Sequence, residues 1–360
     1  MEPLKEMFNE AYLHRLTEVV KSEYSILNKK KFKDDLLRDL NNKELNERMS
    51  HIATILGNHL PRKFQDSIHI LDKVVNKMNT GYTSMVFPDF VAKYGLEQID
   101  LSLEALKRFT VYGSSEFAIR VFLKRDFDKT ISAMDNWAED KNLHVRRLSS
   151  EGSRPRLPWS FKLDRIIDNP LLTKNILVKL KSDPELYVRK SVANHLNDIS
   201  KDNPDYMISL VKSWDKSDLF TAWIIKHASR TLIKKGHPKA LKLFNAHNEA
   251  KVKLNHFSVN PSRIKLGEKI EIQLGLVSVS RSPQKLIIDY IIYYVKKDGS
   301  SSPKVFKWAE LNLLPTQEIQ LIKNQKIIDF TTRVHYPGNH KIEIQINGRQ
   351  TAESNFILFE

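Results

Sequence analysis

The feature that most constrains this chain is a change of apolar period near His256. Up to about Asn255 apolar residues recur three and four apart, as in Leu36, Leu37 and Leu40 or in Ile52, Ile55 and Leu56, the spacing of amphipathic helices. Beyond His256 they alternate, as in Lys269-Ile-Glu-Ile-Gln-Leu and Lys341-Ile-Glu-Ile-Gln-Ile, which sends every second side chain to one face of a strand. A sequence patterned at one period does not bury its apolar face at the other, so the two parts need separate cores. Polar breaks at Asn41-Asn42, Leu60-Pro61-Arg62, Asp183-Pro184, Asn203-Pro204 and Gly236-His237-Pro238 cut the first part into many helices. Turns at Lys297-Asp-Gly299, Pro337-Gly338 and Asn347-Gly348 cut the second into roughly seven short strands, the pattern of an antiparallel β-sandwich. The expected organisation is a mainly α, multidomain chain. A helical domain spans 1–255 and a β-sandwich spans 256–360, with Asn245–Asn255 as the connection.

Internal repetition decides the helical architecture. His144-Val-Arg-Arg-Leu-Ser resembles Tyr187-Val-Arg-Lys-Ser-Val, 43 residues later. Ala222-Trp-Ile-Ile-Lys-His-Ala-Ser-Arg230 is a looser third copy, with Trp223 set against Val188, and Glu116-Phe-Ala-Ile-Arg-Val-Phe is a possible fourth. Each reads as the second helix of a pair, and a period near 40 is that of HEAT-type repeats, which stack into a curved α-solenoid. Arg120, Arg146, Arg189 and Lys226 then recur along its inner face, a basic groove suited to a duplex backbone. The competing reading is that these arginines pair with acidic residues of adjacent repeats.

The richest stretch is His144-Val-Arg-Arg-Leu-Ser-Ser-Glu-Gly-Ser-Arg-Pro-Arg-Leu-Pro-Trp159. Leu143 to Ser150 read as helix, Gly152 ends it, and Pro155 and Pro158 prevent its resumption. Glu151 then lies at the helix C-terminus, where the macrodipole disfavours negative charge. Arg146, Arg147, Arg154 and Arg156 surround it and Trp159 offers an aromatic face. A carboxylate so placed suits a cationic ligand attached to phosphates. The plainer alternative is an i,i+4 salt bridge between Arg147 and Glu151, with Trp159 in the core.

Charge points the same way. The chain carries a net +15, and the part from Phe257 onward holds only 14 basic against 10 acidic residues, so most of the excess lies on the helical part. That favours a polyanionic partner. With no cysteine, disulfides, thiolate metal sites and cysteine nucleophiles are excluded. None of the 12 histidines shows zinc-ligand spacing, and no Walker-type or dinucleotide loop is present, so neither a metal nor a cofactor is expected. Met1 to Val20 is amphipathic and charged, unlike a signal peptide, and no run approaches the roughly 20 apolar residues that span a bilayer. A soluble, cytoplasmic protein without membrane contact is expected.

The chain resembles the AlkC branch of the HEAT-like DNA alkylation-repair glycosylases. The likeness begins at Glu2-Pro-Leu-Lys-Glu-Met-Phe-Asn9 and is sharpest in the 144–159 stretch. It returns in Tyr187-Val-Arg-Lys-Ser-Val-Ala-Asn-His-Leu-Asn-Asp-Ile199 and in Leu232-Ile-Lys-Lys-Gly-His-Pro-Lys-Ala240. Some members carry a C-terminal immunoglobulin-like domain, which fits the strand-rich tail. The resemblance implies a monomeric, monofunctional glycosylase of base excision repair. It would release 3-methyladenine and 3-methylcytosine from double-stranded DNA. Carried over by position, Glu151 is the essential carboxylate, Trp159 the neighbouring aromatic, Glu116 a second acidic residue and Asp198 a further one. Arg147 and Arg154 contact DNA near the lesion, and Arg146, Arg156, Arg189, Lys190 and Asn194 complete the DNA-binding set. For Glu116 a helix-capping role stays open, and for Asp198 a simple pairing with Arg189 or Lys201. The alternative for the whole chain is a non-catalytic HEAT-repeat DNA-damage binder or scaffold, or a binder of structured RNA or branched DNA.

Overall fold

The computed structural model describes residues 3–330 and 333–359; Glu2, where the first resembling segment starts, lies outside them. The chain forms two compact units that divide between Ala228 and Ser229. The sequence pattern puts the boundary at 255/256 instead, because the short helices Arg230–Lys234 and Pro238–Lys242 have helical spacing. These helices belong with the strands: Leu241 and Ala246, with Ile233 against them, form a small apolar cluster with Ile287 of the sandwich.

In the first unit the Leu186–Asp202 helix packs between Leu143–Gly152 and Leu219–Ala228, and the Leu45–His59, Val86–Tyr94 and Ala118–Arg125 helices pack in turn on one another. The repeated phrase has a physical basis at the helix starts. Asp140 Oδ1 accepts from the Asn142 N–H at 2.8 Å and Asp183 Oδ1 from the Glu185 N–H at 2.9 Å, folding a tight turn before each helix. One turn into each helix an arginine reaches back. Arg146 Nη1 donates to the Asp140 and Lys141 carbonyls at 3.0 and 3.1 Å, and Arg189 Nη1 to those of Asp183 and Pro184 at 2.9 and 2.6 Å. Asp215 builds the same turn before the third copy, accepting from the Ser217 N–H at 2.8 Å. That helix starts at Leu219, so Thr221, not Trp223, is the counterpart of Val188, and Phe220 falls level with Tyr187 and His144. Gly152 sits where helices touch: a Cβ there would lie 2.4 Å from Ile119 Cγ2.

Among the described residues the second unit holds eight strands, β1 (Val252–Asn260), β2 (Arg263–Lys265), β3 (Lys269–Ser278), β4 (Gln284–Val295), β5 (Ser301–Leu313), β6 (Glu318–Lys326), β7 (Gly338–Ile346) and β8 (Arg349–Phe359). β1 begins inside the stretch read as a connection. The sheets run β1-β3-β6 and β2-β8-β7-β4-β5. Pairing is antiparallel except for β2 on β8, which is parallel. Ile270, Ile272 and Leu274 of β3 and Ile342, Ile344 and Ile346 of β7 fill the space between the sheets, as their alternation requires. β4 is buried almost throughout because Leu286, Ile288 and Tyr290 face that core while Ile287 meets the apolar cluster of the two short helices.

Candidate active site

The candidate residues of the first unit join into one alternating chain of charge. Glu116 precedes the Ala118–Arg125 helix, Glu151 ends Leu143–Gly152, Arg154 stands in the turn after it, and Asp198 lies in Leu186–Asp202. Arg147 Nη1 meets Glu116 Oε2 at 2.5 Å, and its Nη2 lies 3.5 Å from Glu151 Oε1. Arg154 Nη1 donates to that same Oε1 at 2.7 Å. The other edge of Arg154 forks onto Asp198 Oδ2, with Nε and Nη2 each at 2.8 Å, and Lys201 closes the series on Asp198 Oδ1 at 2.8 Å. The order is therefore Glu116, Arg147, Glu151, Arg154, Asp198, Lys201. Burial alone would oppose the charge of both arginines. For Arg147 the carboxylates of Glu116 and Glu151 outweigh it, and for Arg154 those of Glu151 and Asp198, so both guanidiniums stay above their ordinary pKa.

The three carboxylates are not equivalent. Asp198 is 1% exposed and both its oxygens accept hydrogen bonds. Glu151 is 6% exposed, yet both arginines address Oε1; its Oε2 accepts nothing among the described residues and keeps contact with solvent. Glu116 is similar: Ser114 and Arg147 both bind Oε2, which leaves Oε1 open. Glu116 and Arg147 also line a cleft of about 510 Å³ with Ser114, His144, Tyr82, Tyr112 and Tyr187. Its rings are held in place. The Tyr82 and Tyr112 hydroxyls donate to Asn46 and Asn76, and Tyr187 lies under the Arg147 guanidinium at 4.7 Å.

Trp159 is not a core residue. It is 78% exposed and has φ of 63°, a left-handed conformation that costs a non-glycine residue energy. Two further side chains stabilise the ground beneath the site. Arg120, expected on the groove face, is instead completely buried, and burial, followed by the neighbouring Arg154, lowers its pKa to about 10. His195 is also fully buried. Its Nδ1 lies 3.0 Å from the Ser150 carbonyl, which can only accept, so Nδ1 carries the hydrogen. Burial, then Arg154, pushes its pKa down to about 3, so the ring is neutral.

The remaining sequence-derived positions divide by environment. Arg146 forks onto Asp183, with Nε at 2.6 Å and Nη2 at 3.2 Å, as the pairing alternative anticipates. Arg156 forks onto Asp202 in the same way, at 2.6 and 2.5 Å. Arg189 staples its helix start and lies over the Phe220 ring at 4.2 Å. Lys190 is exposed and Asn194 half-buried on the same helix. Asp198 does bind Lys201, but its principal partner is Arg154 rather than Arg189. Glu116 does not cap its helix; its carboxylate turns to Ser114 and Arg147. Ser114 and Asp183 could have been found from sequence only through the Tyr112-Gly-Ser-Ser-Glu turn and the repeated Asp before each helix. Among the described residues, no group of acidic and histidine side chains is arranged to hold a metal, and no helix is long and apolar enough to cross a membrane.

Comparison with known proteins gives this arrangement a class. Residues 109–232 match the family described as DNA alkylation repair enzyme, and residues 253–360 match the C-terminal Ig-like domain of the uncharacterised protein YhaZ. The chain is 41% identical over 357 residues to the uncharacterized protein YhaZ of Bacillus subtilis (strain 168), covering 99% of each. It is 42% identical, with a TM-score of 0.95 and full coverage of both chains, to the Pseudomonas fluorescens alkylpurine DNA glycosylase AlkC bound to DNA containing an abasic site analog. The chain belongs to the AlkC-type family of DNA alkylation repair proteins, with a HEAT-like helical unit followed by an immunoglobulin-like sandwich.

Proposed function

We propose that this protein is a monofunctional DNA glycosylase that hydrolyses the N-glycosidic bond of cationic N3-alkylated bases, 3-methyladenine and 3-methylcytosine, in double-stranded DNA. The observation that carries this reading is the asymmetric hold on Glu151: one oxygen fixed by two guanidiniums, the other open. Methylation at N3 gives the base a positive charge, so the base is already a good leaving group. As the C1′–N bond breaks, its electron pair returns to the base and neutralises it, and positive charge develops on the sugar as in glycoside hydrolysis. Glu151 Oε2 stabilises that charge, orients the water that attacks C1′ and takes up the water's proton. Glu116 Oε1 adds a second negative edge. Asp198, with no free oxygen, acts through Arg154, which fixes Glu151. Trp159 presents a π face to the cationic lesion.

Lys190, Asn194 and Arg156 are our candidates for DNA contact, with Arg147 and Arg154 nearest the lesion. Arg146 and Arg189, bound to the protein's own carbonyls, set the helix ends from which those contacts are made. Neither metal nor cofactor enters this reaction. The reading includes a monomer working in the cytoplasm. The alkylpurine DNA glycosylase of Pseudomonas fluorescens, to which the chain is 42% identical, supports the proposal. The test is chromatography of bases freed from methylated duplex DNA. Released 3-methyladenine and 3-methylcytosine with the strand left uncut agrees with it; binding without release at saturating protein leaves a non-catalytic damage binder.

A further inference from the structure

Arg120 is a fully buried guanidinium with no carboxylate within ion-pair distance among the described residues. Its hydrogen-bond partners are three backbone carbonyls of the 152–161 turn; the centre of the Phe161 ring lies 5.3 Å from its guanidinium carbon, and its Nε–H has no partner among the described residues. Nη1 donates to Gly152 at 3.1 Å and Arg154 at 2.6 Å, and Nη2 donates to Phe161. Each hydrogen bond offsets part of the cost of burying a cation, and the planar fork of arginine reaches three acceptors in fixed directions as a lysine ammonium on a flexible stem does not. The first acceptor is the last residue of the Leu143–Gly152 helix, whose terminal carbonyls have no partner inside the helix. The fork thus spans from the helix end to the far side of the turn, and Trp159 stands between these anchor points.

Trp159 supplies an independent observation. A bulky residue with positive φ persists only where its surroundings hold it there, and its ring, being mostly exposed, cannot be doing so by packing. We propose that Arg120 is a positioning residue: by tying the Gly152, Arg154 and Phe161 carbonyls together it holds the turn closed and fixes how Trp159 is presented in the turn that follows Glu151. The same cation faces the negative end of the helix on which Glu151 sits, which answers why a carboxylate is tolerated at that terminus. This inference rests on the glycosylase reading for its kinetic consequence but not for its structural one.

The experiment uses the full chain labelled with 5-fluorotryptophan, the Trp159 resonance being assigned by its loss in Trp159→Phe. In Arg120→Lys the Trp159 fluorine signal shifts or broadens while those of Trp214 and Trp308 stay in place. Excision under single-turnover conditions falls about tenfold, and affinity for undamaged duplex stays within about twofold. Adding Trp159→Ala to Arg120→Lys costs less than about twofold more, because both changes remove one function. An unmoved Trp159 signal, or losses that multiply in full in the double variant, overturns the inference. Should the wild-type protein release no base, the glycosylase reading fails while the fluorine spectrum still decides this one. If Arg120→Lys does not fold, Phe161→Gly loosens the far anchor at a partly exposed position and is read in the same two ways.

Discussion

Replacing Trp159 by glycine and by alanine separates what the residue does from what its backbone costs. Both changes remove the indole, and because the ring is 78% exposed little burial is lost in either. They differ at φ, which is 63° in the native turn. There glycine is unstrained, whereas a Cβ costs roughly 1–2 kcal/mol. Part of that gain is offset by the greater freedom of glycine in the unfolded chain, about 0.4–1 kcal/mol. The glycine variant is therefore expected to be the more stable of the two by about 1 kcal/mol, a rise of roughly 2–4 °C in the melting transition of the helical unit. Excision should fall in both to a similar extent, by the cation–π contribution of about 0.5–2 kcal/mol, or roughly 2- to 30-fold. Calorimetry of the two variants and single-turnover base release give both quantities. Equal melting temperatures would refute the claim that the turn stores strain at Trp159, and unchanged excision would refute the role of the ring.

Three further expectations follow from the geometry. In Glu151→Gln, Arg147 keeps Glu116 and Arg154 keeps Asp198, so folding loses only about 1–2 kcal/mol, while excision drops by about 10²–10³; parallel loss of duplex affinity would make Glu151 structural instead. His195 has a folded pKa of about 3 against the ordinary imidazole value of 6.5, so below pH 6.5 the unfolded chain binds a proton that the folded one refuses. Stability present above pH 6.5 is lost as pH falls, and urea titrations of His195→Gln should show an acid loss between pH 7 and 5 smaller by up to about 2 kcal/mol; identical pH slopes would exclude this. Asp289 of β4 is raised by burial to about 6, the Lys234 and Lys307 charges offsetting only part, so its stability contribution is highest below pH 3.8 and lost as pH rises to 6. Asp289→Asn should stabilise the sandwich at pH 7 by up to about 3 kcal/mol and hardly at pH 4, as differential melts at the two pH values would show.

Much of the site is legible in sequence because it depends on local rules. Pro155 and Pro158 keep the helix from continuing past Gly152, and that puts Glu151 at a helix terminus and Trp159 in the turn beyond it. Asp198 and Arg154 each stand out by position, but their partnership spans 44 residues and depends on how two repeats stack, which no local pattern encodes. Arg120 is misplaced by its sequence for a related reason: in Glu116-Phe-Ala-Ile-Arg it fits a repeat phrase whose other arginines reach helix starts near the surface. The three carbonyls of the 152–161 turn, with the charges of Asp198, Glu116 and Glu151 further off, offset its burial, and backbone acceptors leave no trace in residue types. The unit boundary differs because Ile233 and Leu241 have helical spacing yet bury their faces on a strand.

The central claim is that catalysis comes from a carboxylate meeting positive charge that the alkylated base already carries into the site. The direct measurement compares single-turnover release of 3-methyladenine with that of the isosteric lesion in which carbon replaces nitrogen 3, so that shape is kept and charge removed. The account predicts release of the cationic base, no detectable release of the neutral one, and similar binding of both duplexes. Comparable release of the two would contradict it, because a neutral base leaves only with the help of an acid that this arrangement does not provide.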